Sequence, residues 1–395
     1  MEISIFTTVA TLLGGLAVFI FGMNLMSEGL QKSAGDKMRN ILAMLTANPV
    51  FGVLAGALTT AVLQSSSATT VMVIGFVSAG LMKLPQAISV ILGANIGTTI
   101  TAQLIAFNIG DYAWIFVFVG FIMMFFLKHK EKIRDIGEIA FGFGLLFVGI
   151  NTMGDVMKPL ANAQAFTDLM LKVSDIPILG VLLGIISTMV IQSSSAVIAV
   201  LQNLAATPGP DGVTSVIGLT GALPILFGSN IGTTITALMA SVGASVNAKR
   251  TAVAHTIFNF GGTLIFIWFI PQISKLVHWL SPKGAEVGVI AREIANAHLL
   301  FNVVCTLLFI PFIWLLVKIV TKIVPGEDKQ ILQNEPVFLD EKVIGQPVFA
   351  IHLAIKEMVR SGNLVTDMIT KAKKAFISGD VKEVGEVMES DKVVN

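Results

Sequence analysis

Gln64-Ser65-Ser66-Ser67-Ala68 and Gln192-Ser193-Ser194-Ser195-Ala196 each set four consecutive hydrogen-bonding side chains inside an apolar segment. In an apolar surrounding such a run is costly unless each group finds a partner. The chemistry on offer is that of a helix start. Serine is a favoured N-cap, and the first turn of a helix presents free N–H groups and about half a positive charge. Two such starts meeting at membrane depth form a site for an anion with several acceptor oxygens, made of amides and hydroxyls. Neither run contains Lys or Arg, so no fixed cation would hinder release. Helix–helix adhesion through serine is the blander use of such residues. Recurrence of the whole run at equivalent places favours anion recognition.

A second polar motif suits a different ligand. Gly93-Ala94-Asn95-Ile96-Gly97-Thr98-Thr99-Ile100-Thr101 returns as Gly228-Ser229-Asn230-Ile231-Gly232-Thr233-Thr234-Ile235-Thr236. Asn95 and Asn230 bring carboxamide oxygens. Thr98 and Thr101, like Thr233 and Thr236, stand three apart and share a helical face. Gly97 and Gly232 are expected to break the chain. Carbonyls freed there, with Thr, Ser, Gln and Asn oxygens, would make a neutral shell for a hard cation such as sodium; a small-residue packing face is the alternative. Secondary candidates are His255 and Asn259, which recur as His298 and Asn302 in Ala-His-x-x-Phe-Asn. Intramembrane histidines attract a functional reading, although a His and Asn four apart also suit a bond to a neighbouring helix. Glu28 and Asp155 hold equivalent positions and read as solvated helix ends.

Three marks occur twice in the same order. Phe21-Gly22-Met23-Asn24-Leu25-Met26 is echoed by Val148-Gly149-Ile150-Asn151-Thr152-Met153, a shift of 127; the Gln-Ser-Ser-Ser runs are shifted by 128 and the Asn-Ile-Gly-Thr-Thr runs by 135. Turn-rich residues 207–212 account for the extra seven. Such duplication is typical of secondary transporters, whose sites lie where the repeats meet. Each copy reads as a spanning helix (4–28, then 136–157), an amphipathic stretch (31–48, then 158–176) and two interrupted apolar segments. A further spanning helix follows (111–128, then 251–271), and one more (294–320) closes the bundle. Apolar segments of about 10–14 residues cannot cross a bilayer of about 30 Å, so the interrupted ones are expected to be half-helices or re-entrant hairpins.

Composition agrees with a bilayer. Of 395 residues 54% are apolar and 13% charged, and of the 51 charges residues 325–395 hold 12 acidic and 9 basic. Soluble domains are nearer a quarter charged. Cys305 is the sole cysteine, which excludes a disulfide framework, and a net charge of +1 argues for no nucleic acid. Residues 4–27 follow no basic n-region and read as a retained helix, not a cleaved signal. With the first helix starting outside, eleven basic residues of the membrane part fall inside and five outside. That bias inverts the second copy relative to the first. The expected fold is therefore an all-α polytopic membrane protein of two inverted-topology repeats with re-entrant or discontinuous helices. Its units are 1–135, 136–275, a closing helix in 276–324 and a cytoplasmic tail, 325–395.

At these motifs the chain resembles the type II sodium–phosphate cotransporter family in its bacterial branch, over about residues 5–320. The resemblance implies sodium-driven movement of inorganic phosphate across the cell membrane, with sodium as the co-transported ion. Phosphate would meet Gln64, Ser65, Ser66, Ser67 and Asn95 with Gln192, Ser193, Ser194, Ser195 and Asn230. Sodium would meet Gln192, Ser193, Thr233 and Thr236, with Gln64, Ser65, Thr98 and Thr101 as counterparts. The second copy departs after its serines, with Val197 and Ile198 where the first has Thr69 and Thr70. In the tail, Ile351, Ile355, Met358, Gly362, Val365, Ile369, Ala372 and Phe376 follow helical spacing, and Val381, Val384 and Val387 begin another helix. This is similar to the start of a PhoU-like domain. Alternatives are a phosphate exporter and a phosphate sensor acting through the tail; a homodimer is left open. No Gly-x-Ser-x-Gly elbow surrounds the serines, which argues against a serine enzyme.

Overall fold

The computed structural model describes residues 5–391 except 44–47, 79, 108, 128–129, 161–162, 210, 327–338, 340–346, 379–384, 386 and 389–390; within helices the side chains at 5, 34–43, 158–160, 165–167, 347–349 and 352 are also left aside. In chain order the helices of the first half are α1 (Ile5–Ala43), α2 (Pro49–Leu63), α3 (Ser66–Ser78), α4 (Leu84–Gly97), α5 (Thr99–Ile105), α6 (Ala113–Phe126), α7 (Glu131–Leu160) and α8 (Gln164–Asp175). Those of the second are α9 (Pro177–Ile191), α10 (Ser194–Ala205), α11 (Gly218–Ala240), α12 (Val246–Phe266), α13 (Ile270–Leu280), α14 (Glu286–Phe309), α15 (Ile313–Ile323) and α16 (Pro347–Ser378). No strand occurs among the described residues.

Six helical runs are long and apolar enough to cross a membrane: Phe6–Ser33, Leu84–Ile105, Glu131–Met157, Gly218–Ala240, Val246–Leu280 and Glu286–Ile323. The pair Asp168–Asp175 and Pro177–Ile191, bent by 108°, adds a broken seventh. Outward faces are apolar, as lipid requires: Ile178, Leu182, Ile186 and Val190 on α9, and Trp114, Phe118 and Phe125 on α6, are all exposed. This is an all-α polytopic membrane protein.

Helix α1 is a single helix of 39 residues; the expected separate amphipathic stretch prolongs it as far as Ala43. It lies along α7, its repeat counterpart, through a glycine seam. A Cβ on Gly22 would stand 2.6 Å from the Gly142 carbonyl oxygen, and one on Gly149 2.6 Å from that of Gly15. Glycines seven apart bring the two backbones into contact every second turn, and Phe19, Met23, Leu146 and Phe147 bury beside them. Helix α6, at Gly110–Phe126 with its leading turn, is shorter than a full span.

The two hairpins α2–α4 and α9–α11 are built alike. Gly56 and Gly93 press against the carbonyls of Val90 and Val53; Gly184 and Gly228 press against those of Ile225 and Val181. Helices α2 and α9 have 15 residues each, about 22 Å at 1.5 Å per residue, shorter than a hydrocarbon core of about 30 Å.

A further duplication ties together the last spans. Short 3₁₀ turns at Ile267–Phe269 and Ile310–Phe312 lie 43 residues apart, as do α13 and α15, whose buried positions Ile270, Ile273 and Val277 match Ile313, Leu316 and Val320. Helix α12 thus has a likeness in α14, in addition to the segment at 111–128 with which the sequence paired it.

The tail helix α16 forms where its periodicity predicts, but its apolar stripe faces outward: Ile351, Ile355, Met358, Ile369 and Phe376 are exposed. The buried anchor is Leu353, packed in a cluster with Val73, Val77, Ala248 and Ala252. Val381 and Val384 lie outside the described residues.

Candidate functional site

Both Gln-Ser-Ser-Ser runs fold in the same way. The glutamine ends one helix and the next serine caps another. Gln64 (φ 51°, ψ 23°) and Gln192 (φ 57°, ψ 22°) sit in the left-handed region, and among the described residues they alone do so without being glycine. Helices commonly stop in this conformation, but on glycine, because a Cβ is strained there. Ser65 Oγ then accepts from the Ala68 N–H (3.1 Å), and Ser193 Oγ from the Ala196 N–H (3.2 Å). Ser66 and Ser67, like Ser194 and Ser195, fall in the first turn of α3 and α10, where backbone N–H groups have no helical acceptor.

The two openings face one cavity of about 230 Å³. It is lined by Gln64–Ser67, by Gln192–Ser195, by Thr98, and by a wall from α1. The copies touch across it, with Thr98 Oγ1 and Ser195 Oγ 3.4 Å apart. Eight of the residues singled out in the two runs, together with Thr98, are therefore brought together. From α1 come Ile20, Met23, Asn24 and Ser27, which the sequence reasoning missed. Asn24 had a signal, being part of the repeated Gly-x-Asn mark. Its counterpart Asn151 is spent on the Gly110 carbonyl. Ser27 gave no signal; its hydroxyl donates to the Leu63 carbonyl, one of the acceptors freed at the end of α2.

The Asn-Ile-Gly-Thr-Thr runs behave differently from expectation. Helix α11 passes unbroken through Gly232, and at the end of α4 Thr98 keeps right-handed helical angles (φ −64°, ψ −22°). The glycines serve close approach: a Cβ on Gly232 would stand 2.7 Å from both the Ile185 carbonyl oxygen and Thr188 Cβ, and Gly97 is equally tight against Ala57 and Thr60. Freed carbonyls are found instead at the ends of α2 and α9. Asn95 and Asn230 do not line the cavity; their Oδ1 atoms face His255 Nε2 (3.4 Å) and His298 Nε2 (3.1 Å). Asn259 and Asn302 donate to the carbonyls of those same histidines. All four secondary candidates are buried between helices.

The copies differ at the residues singled out from sequence as cation ligands. Thr101 Oγ1 donates to Gln64 Oε1 at 2.9 Å, and Gln64 is buried. In the second copy Gln192 is exposed, Thr233 bonds the Ser229 carbonyl, and Thr236 Oγ1 is buried without a hydrogen-bond partner. The hydroxyl missing at Val197 is accounted for by packing, whereas Thr70, which Ile198 replaces, has a buried hydroxyl with no hydrogen-bond partner. Thr60 bonds Thr69 in the first copy, whereas the equivalent Thr188 bonds Ser229, which replaces Ala94.

Gln192→Gly offers a direct measure of the strained turn. Relief of the left-handed strain is expected to stabilise the protein by about 1 kcal/mol, read as a raised thermal midpoint, while any ion affinity that depends on the carboxamide falls. A lowered midpoint would contradict the strain.

The comparisons with known proteins fit this geometry. The profile of the Na+/Pi-cotransporter family matches residues 18–155 and, a second time, 149–281. An uncharacterized protein of Bacillus subtilis, YqeW, is 35% identical over 268 residues, 68% of this chain and 84% of its own length. YjbB of Salmonella typhimurium, named provisionally as an inorganic phosphate export protein, is 25% identical over 93% of this chain but only 65% of its own. Sodium-dependent phosphate transport protein 2A of Rattus norvegicus is 35% identical over 100 residues, 25% of this chain and 16% of its own. No solved structure matches the chain significantly. The double match falls on the two copies that build the cavity, and the chain belongs to the Na+/Pi-cotransporter family.

Proposed function

We propose that the chain is a secondary transporter that moves inorganic phosphate together with sodium. The observation that carries the reading is the meeting of two serine-capped helix starts on one cavity. Phosphate, a tetrahedral oxyanion, would take the N–H groups and hydroxyls of Ser65–Ser67 and Ser193–Ser195. Sodium would take neutral oxygens nearby: Gln192, Ser193, Thr233 and Thr236 in one copy, Gln64, Ser65, Thr98 and Thr101 in the other. Asn95 and Asn230 are left out of this ligand set, because neither lines the cavity and the Oδ1 of each faces a histidine. The two copies are read as inverted in the cell membrane, with the tail in the cytoplasm, on the bias of basic residues towards one side.

Radiolabelled phosphate uptake into proteoliposomes, with and without an inward sodium gradient, tests the proposal. Uptake that ignores the gradient, or no uptake, rejects it. Export is the second reading, favoured by the named function of YjbB over most of this chain's length; efflux from loaded vesicles that exceeds uptake under matched gradients would select it.

Thr236→Val separates ion binding from folding. The hydroxyl has no partner to lose, so stability stays within about 0.5 kcal/mol. The sodium concentration for half-maximal phosphate binding is expected to rise about tenfold, equivalent to about 1.4 kcal/mol. An unchanged sodium dependence removes Thr236 from the ligand set.

A further inference from the structure

We infer that His255 and His298 are positioning residues that hold the threonines of the ion site in register with the serine turns; this rests on the transport reading above. Helices α12 and α14 carry the same three polar positions, His255, Asn259 and Thr263 in one and His298, Asn302 and Thr306 in the other, 43 residues on. Their bonds cross. Helix α12 reaches α4 through His255 to Asn95 and reaches α11 through Thr263 Oγ1 to the Phe227 carbonyl (3.4 Å). Helix α14 reaches α11 through His298 to Asn230 and reaches α4 through Thr306 Oγ1 to the Leu92 carbonyl (3.3 Å). Each helix therefore grips both ion-site helices, and the four contacts obey one pseudo-twofold relation.

The direction of the histidine bonds follows from the amides. Asn95 Nδ2 donates to the Ile91 carbonyl (2.8 Å), which leaves Oδ1 as the acceptor towards His255. His255 must then present Nε2–H; in the other helix His298 Nε2 stands 3.1 Å from Asn230 Oδ1. Asn259 and Asn302 brace the helix at each histidine by bonding its carbonyl. Asn95, Thr98 and Thr101 follow at spacings of three, so the grip lies one turn before the hydroxyl that meets Ser195 and two before the one that holds Gln64. Asn230, Thr233 and Thr236 repeat the arrangement. Buried, directional bonds of this kind restrict a helix from sliding or rotating, which apolar packing alone does less well.

The test reads position directly. In full-length protein with Cys305→Ala, Thr98→Cys and Ser195→Cys, the rate of disulfide formation reports the approach of α4–α5 to the second serine turn. His255→Leu and His255→Asn, the latter polar but too short to reach Asn95, are expected to slow it at least tenfold. His255→Gln, which keeps a donor at the end of a longer chain, should stay within about threefold. In the protein without the cysteine pair, His298→Asn should raise the sodium concentration for half-maximal phosphate binding about fivefold, and His298→Gln less than twofold. If all variants cross-link at the parent rate and only the thermal midpoint falls, the histidines are packing residues and the inference is overturned. A parent protein that binds no phosphate with or without sodium defeats the transport reading alone, because the cross-linking rates still decide the positioning role.

Discussion

Alanine at Ser66 and Ser194 together is expected to weaken phosphate binding about a hundredfold while the protein stays folded. Both serines open a half-helix at the cavity, one from each copy, and both are buried. A hydrogen bond to a charged group is worth about 1.5–3 kcal/mol, so losing two removes about 3 kcal/mol or more, and each 1.4 kcal/mol is tenfold. Folding should be nearly indifferent. Neither residue is the cap itself, which is Ser65 or Ser193, and alanine is at least as good a helix former as serine. Isothermal titration of phosphate at fixed sodium measures the first effect and thermal unfolding the second. Single variants should each fall about tenfold. Affinity unchanged in the double variant would mean that the anion does not lie between the two helix starts.

Gly228→Ala should do the opposite, breaking the architecture before any ligand is added. A Cβ there would lie deep inside contact with the Val181 carbonyl, its Cα and its carbonyl carbon, all backbone atoms that cannot rotate away. Overpacking costs typically about 1–3 kcal/mol where side chains can adjust, and here helix α11 must leave α9 as a whole. We expect a loss at the upper end of that range or beyond, seen as a sharply lowered thermal midpoint and poor recovery of folded protein. Gly14→Ala is the control. It is also in a membrane helix, but nothing lies within 4 Å of its added Cβ, so the midpoint should hold or rise slightly. Equal effects of the two substitutions would show that close backbone approach is not what the glycines of the hairpins provide.

What could be read from the chain in advance divides by physical range. Serine capping is a local act, settled within four residues, so a helix start could be expected within Ser65–Ser67 and Ser193–Ser195, and the structure puts the cap on the first serine of each run. The duplication was legible because three marks recur in order, and it made the meeting of two serine runs the natural expectation. Long-range events were not legible. Asn95 looked like an ion ligand because a carboxamide suits one, but its partner, His255, stands 160 residues away. Gly97 and Gly232 looked like breaks because glycine permits them; whether it is used for a break or for contact depends on which helix arrives opposite. The break fell instead on Gln64 and Gln192, residues that ordinarily avoid left-handed angles. Strain of this kind, imposed by surrounding structure, leaves no compositional trace. Ser27 and the inward wall of α1 were hidden for the same reason, since an apolar helix with a few polar residues does not reveal which neighbour it will face.

The paired helix starts have one more consequence, which is a matter of charge balance. Each first turn carries about half a positive charge, but α2 and α9 end on the same cavity and bring about half a negative charge each, so the four helix ends nearly cancel. The anion's charge is thus left to N–H and O–H donors and to whatever cation accompanies it. A doubly charged anion leaves more negative charge uncompensated in a low-dielectric site than a singly charged one, and that is expensive. Electroneutrality then calls for a mobile cation, with no acidic side chain needed to recruit it. On this view the appetite of the site for a cation is set by the protonation state of its anion, and should grow as pH rises and the anion sheds its next proton.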